Sequence, residues 1–257
     1  MTKIKYPVEA FALAMVLCTL SIQTAASVGI LIVFGTVTGM LVREILGEEK
    51  RMQEVEMMST FFAVFGPIYL TNRYVFGYTT DTWQSLFAFA AIAILTAKYV
   101  WSADEDSVED YSGVVKQSIA AYAVMLVIAV FREALGYGTL LGYELPQIAL
   151  ISSGYTHTMF GFIFAGLGIA AVNRIFRMDV GSLESSLIVV PVAVLATPFV
   201  IQGIPEVLST ILAAFLVIIY VVSVKGRLIF SDVDNSFHAM PIELISVGIV
   251  YMILSFF

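Results

Sequence analysis

Residues 131–146, FREALGYGTLLGYELP, set an arginine and a glutamate side by side at the end of an apolar run and follow them with a glycine-rich loop. Residues 42–47, VREILG, nearly repeat the phrase. Charged pairs of this kind are unexpected in so apolar a chain. Of the 257 residues, 60% are hydrophobic and 13% charged, with a mean hydropathy of +0.94. A water-soluble domain carries roughly 25% charged residues. The composition therefore selects an all-α integral membrane protein, since only helices and closed barrels satisfy their backbone polar groups in lipid.

A span needs about 20 mostly apolar residues. Nine candidates follow along the chain, at roughly 8–24, 27–46, 57–77, 83–101, 114–133, 154–174, 185–202, 205–224 and 239–257. The first is read as a span, because no small-residue cleavage pattern accompanies it. The third holds Pro67 and Arg73, and the seventh holds Pro191 and Pro198, so a broken or re-entrant segment is expected at one of these two. Lysine and arginine accumulate on the cytoplasmic side. With a cytoplasmic N-terminus and nine crossings, Lys3, Lys5, Arg43, Lys50, Arg51, Lys98, Lys116, Arg174, Arg177, Lys225 and Arg227 fall inside, and only Arg73 and Arg132 fall outside. Trp83 and Trp101 bracket the fourth span as an aromatic belt does.

The spans group by threes into units at 1–80, 81–180 and 181–257. The middle span of each closes alike: GMLVREILG (39–47), IAVFREALG (128–136) and VVSVKGRLIF (221–230). An odd number of crossings per unit inverts the middle unit relative to its neighbours. Inverted repeats commonly build a site near the bilayer midplane, at the junction of two repeats. Arg132 then breaks the charge rule because it occupies, upside down, the place of Arg43.

These stretches resemble the membrane subunits of the Rnf ferredoxin:NAD oxidoreductase and the sodium-translocating NADH:quinone reductase. FREALGYGTLLGYELP is similar to the end of a middle span in that family. VKGRLIFSDVDNSFHAMPIELISVGIVYMIL (224–254) is similar to its C-terminal end, and GPIYLTNRYVFG (66–77) to its Thr-Asn-Cys half-helix. Together the matches cover about a third of the chain. The resemblance implies a membrane subunit of an ion-translocating electron-transport complex, in a prokaryotic inner membrane, beside other membrane subunits. It also implies a share in a [2Fe–2S] cluster held between subunits. Here the sequence departs from the family. Arg73 stands where the Thr-Asn-Cys cysteine would be, LATPFVIQG (195–203) has no cysteine, and Cys18 is the chain's one thiol. A [2Fe–2S] centre takes four ligands, so Cys18 is at most a single ligand of a shared cluster.

Residues proposed for an ion path or gate are Arg43, Glu44, Arg132, Glu133, Arg73, Glu206 and Glu243. Ionisable side chains within spans mark ion paths or partner contacts when they face the bundle interior, and carboxylates suit hard cations. Each has a plainer reading beside it. Adjacent residues on a helix point about 100° apart, so one member of each Arg-Glu pair is expected to reach the headgroups while the other turns inward. Glu206 and Glu243 are also in place as acids at helix N-termini. Arg73 either pairs with Glu206 or Glu144 or lies at the external surface. His157 and His238 lack ligand companions nearby in sequence. No basic stripe for nucleic acid, P-loop, dinucleotide fingerprint or nucleophile elbow is present. Three functions fit: a subunit of such a complex, which need not itself be catalytic; a stand-alone inverted-repeat transporter or channel; and a membrane scaffold subunit.

Overall fold

The computed structural model describes residues 6–46, 50–76, 83–102, 111–146, 149–177, 183–197, 205–224 and 235–254. Most of these residues are helical, and one short hairpin occurs among them. Nine α-helices occur among them: α1 (Val8–Leu17), α2 (Ile22–Leu46), α3 (Lys50–Leu70), α4 (Trp83–Ser102), α5 (Tyr111–Tyr137), α6 (Thr158–Phe176), α7 (Leu183–Ala196), α8 (Glu206–Val224) and α9 (Met240–Leu254). Helices α2, α4, α5 and α6 are long and apolar enough to cross a membrane. Strands β1 (Thr139–Leu140) and β2 (Tyr143–Glu144) pair antiparallel after α5. Their turn uses left-handed backbone at Leu141 and at Gly142, whose φ of +85° costs a glycine little.

Helix α1 is the centre of the molecule. Ala10, Phe11, Ala12, Leu13, Ala14 and Met15 are all fully buried, and α2, α4, α5, α6 and α7 pack around them. A helix enclosed on every side must be apolar all round, which VEAFALAMVL nearly is. At 10 residues it rises only about 15 Å, half of a hydrocarbon core. The chain breaks at residues 18–21 and α2 begins at once. The break thus falls in the first candidate span, where neither proline nor glycine announced it. The third segment is helical from Lys50 and runs through Pro67, widening into a π-helical turn at Thr71–Val75. Pro67 has no N–H to donate, and neighbouring contacts hold the helix together regardless. The seventh segment is helical through Pro191 to Ala196; Pro198 lies outside the described residues, as do most of the VVSVKGRLIF stretch and the acidic loop 103–110.

Contacts at helix ends set the arrangement. Arg43, near the end of α2, donates to Val100 O and Trp101 O at the end of α4. Lys98 of that end donates to both oxygens of Glu9 at the start of α1, 2.8 and 3.0 Å away. Ser185, at the start of α7, donates to the same carboxylate. We call this the basic end. The end of α1, the starts of α2 and α6 and the end of α5 meet at the other, the cavity end.

Helices α6 and α9 make the most extensive pairing. Gly166 allows Pro241 O to approach so closely that a Cβ there would lie 2.7 Å from it, and Gly248 does the same for Met159 O at 2.8 Å. Small residues permit this backbone-to-backbone approach where water supplies no driving force. Helix α8 packs mainly on α7 and turns Val207, Leu208, Ile211, Phe215 and Val222 outward, each more than half exposed. Such an apolar outer face suits lipid and not water.

Candidate functional site

The Arg-Glu pair of α5 sits against the break between α1 and α2. Arg132 is 1% exposed and Glu133 7%. Arg132 Nη1 donates to Val16 O at 3.1 Å and Thr19 Oγ1 at 2.8 Å, at the C-terminal end of α1. Its Nε and Nη2 donate to Tyr155 O, Thr156 O and His157 O, where the chain enters α6. Glu133 Oε2 accepts the N–H of Ile22, first residue of α2, at 2.7 Å. Its Oε1 accepts the N–H of Leu141, in the hairpin turn, also at 2.7 Å.

The cation therefore meets the carbonyl end of one helix and the anion meets the amide end of the next, the charge placement that helix dipoles favour. Neither side chain reaches toward headgroups, contrary to the expectation from their 100° separation. The break offers two differently placed helix ends, so side chains that diverge each find one. Thr19 adds to the break by donating to Met15 O at 2.6 Å.

Arg43 performs the matching task at the basic end. It caps α4 as Arg132 caps α1. The two arginines are 89 positions apart; α2 shifted by 89 covers 111–135, nearly the Tyr111–Tyr137 of α5. Packing follows the same exchange: α3 lies on α4 as α6 lies on α1, and α2 and α5 pack on each other. The two arginines differ in setting, since Arg43 is half-buried and its neighbour Glu44 exposed.

A cavity of about 640 Å³ opens beside the break. Cys18, Ser21 and Thr24 line it from the break and α2, Ala88 and Phe89 from α4, and Glu133 and Tyr137 from α5. Thr139, Leu141 and Gly142 bring the hairpin to its wall, and Ala196 and Thr197 the end of α7. Asn72, fully buried in the π-helical turn, also contributes. Its Nδ2 donates to Ile68 O and Ser27 Oγ, and its Oδ1 has no hydrogen-bond partner.

The remaining candidates are scattered. Arg73 is exposed, donates to the Tyr69 hydroxyl and lies 5.7 Å from the Tyr69 and Tyr74 ring centroids. Glu144 is exposed on β2. Glu206 opens α8, its side chain being outside the described residues. Glu243 is half-buried in the first turn of α9, near the level of Gly166 at the middle of α6. Of the proposed set, the structure gathers Arg132, Glu133 and Cys18 around one break. Asn72 and Thr19 were not singled out from sequence. The signal for Asn72 was the Thr-Asn of the family-like half-helix; for Thr19 there was none.

Cys18 is 4% exposed and brings one thiol to the cavity. Among the described residues no three His, Cys, Asp or Glu side chains group as metal ligands. The donor set does not fit a cluster held by this chain alone. No protein-family model, curated protein or solved structure matches this chain.

Proposed function

We propose that this chain is a membrane subunit of a Rnf/Nqr-like ion-translocating electron-transport complex of a prokaryotic inner membrane, supplying an ion path and contacts to other membrane subunits. On this reading all nine helical segments cross or enter the bilayer, the N-terminus is cytoplasmic and the basic end faces the cytoplasm. The carrying observation is the exchange of arginine caps between the first two units, Arg43 onto α4 and Arg132 onto α1. That exchange is what an inverted repeat produces. The ion path starts at the cavity end, where the Glu133 carboxylate offers oxygen ligands of the kind hard cations take, and continues past Glu243 at mid-depth. A [2Fe–2S] cluster, if shared with partners, takes Cys18 as this chain's one thiolate.

The test is purification from native membranes with partners retained. The expected result is co-isolation with flavin- and iron–sulfur-bearing subunits, an optical redox spectrum, and ion movement driven by electron transfer. Isolation as a lone chain that moves solute in liposomes without a reductant would replace this reading with a stand-alone inverted-repeat transporter. The cavity favours that second reading, because one chain forms it unaided.

A further inference from the structure

The cavity at the α1–α2 break has properties that an inorganic ion path does not explain. Its volume, about 640 Å³, lies within the roughly 300–1,000 Å³ of pockets that enclose small organic molecules. Filled with solvent around a metal ion it would hold on the order of 20 waters at about 30 Å³ each. Yet Leu17, Leu20, Ala88, Phe89 and Leu141 make much of the wall apolar, and water gains little against such surface.

The charge in the polar part of the wall is of one sign; the rest of that part, from residues such as Gln23, Gln84, Ser85 and Thr197, is neutral. Among the described lining residues Glu133 is the one carboxylate, and no Lys, Arg or His occurs. Arg132, next to Glu133 in sequence, is directed to the carbonyls of Val16, Tyr155, Thr156 and His157. The two bonds that Glu133 accepts leave each carboxylate oxygen a further lone pair. Phe89 and Tyr137 add aromatic surface of the kind that attracts cations. A carboxylate as the one charged group described in a largely apolar wall calls for a cation with a hydrocarbon body.

We infer that this cavity is a binding site for a small organic ammonium ion. The ammonium donates to Glu133, and the hydrocarbon part lies against Phe89 and the leucines. Leu141 is half-exposed at the hairpin turn and tied by its N–H to Glu133, so the turn covers the occupant while the carboxylate holds both. The site belongs to this chain and needs no redox partner, so its test is separate from that of the translocation reading.

The probe is benzylammonium, titrated calorimetrically into the detergent-solubilised full chain, with benzyl alcohol as neutral isostere and sodium chloride at matched ionic strength. Saturable binding of benzylammonium is expected, at least tenfold tighter than of the alcohol or of sodium. Glu133→Gln should weaken it at least tenfold. Ala88→Phe extends into the chamber from the α4 side, leaves Glu133 in place, and should abolish binding in a variant that still melts cooperatively. Equal affinity for the alcohol, an equal response to sodium, no binding to the wild-type chain, or full binding by a folded Ala88→Phe variant would each overturn the assignment.

Discussion

Arg132 has no carboxylate partner among its described contacts; its bonds run to four backbone carbonyls and one hydroxyl. Removing the guanidinium orphans acceptors inside the protein, at about 1–3 kcal/mol for each buried group left unsatisfied. Arg132→Gln should therefore lower the thermal midpoint of the detergent-solubilised chain markedly, and Arg132→Lys should rescue it only in part, since an ammonium cannot reproduce the planar fork. Arg43→Gln, acting on two carbonyls at a half-buried site, should cost less. Equal loss from both arginines would contradict the difference in burial.

Glu56 offers a second test at this scale. It precedes the apolar part of α3, is 2% exposed, and its Oε1 has no hydrogen-bond partner. Burial raises its pKa above the usual 4.5, and the nearby Arg43 opposes the rise. A raised carboxyl pKa means that the folded chain holds the proton more tightly than the unfolded one. The stabilisation is full below 4.5 and is lost as pH climbs through the raised folded value. Melting midpoints measured across that window should fall for the wild type and stay flatter for Glu56→Gln.

Among the elements, the α6–α9 pair has glycine at two points of close backbone approach. A Cβ at Gly166 or Gly248 would meet a backbone carbonyl of the facing helix below 3.0 Å, and backbone cannot rotate aside as a side chain can. Gly166→Ala and Gly248→Ala should each cost about 1–3 kcal/mol by overpacking, read as lowered thermal midpoints. The double substitution should be less than additive, since once the helices separate the second Cβ meets less resistance. Gly66→Ala, where no heavy atom lies within 4 Å of the added Cβ, is the control and should be neutral or slightly stabilising.

For the whole molecule, the alternation of helix ends makes a prediction about sidedness. Glu44 is exposed at the basic end, and Tyr143 is 78% exposed on the hairpin of the cavity end. In a Cys18→Ser background, Tyr143→Cys should react with an impermeant thiol reagent in intact cells. Glu44→Cys should react only in inverted vesicles. Labelling of both from one side would remove the basis for a hairpin and a basic end in opposite compartments, and with it the inverted relation of the first two units.

The helical character of the chain and the approximate places of the described helices were legible in the sequence, because a chain whose apolar runs are divided by charged or glycine-rich loops satisfies its backbone polar groups segment by segment in lipid. The recurrence of Arg-Glu at the ends of α2 and α5 was legible too, since it rests on local wording alone. Where the break fell was not. Proline is a local signal and drew attention to the third and seventh segments, whereas the first breaks at Cys18–Ser21, where Thr19 and the distant Arg132 and Glu133 take over the helix-end groups. Those partners lie more than 100 positions away. The sequence by itself determined a helical, apolar chain with charges at particular helix ends. Only tertiary packing decided which ends those charges cap and that a cavity opens beside them, because a buried charge is placed by the groups that surround it in space.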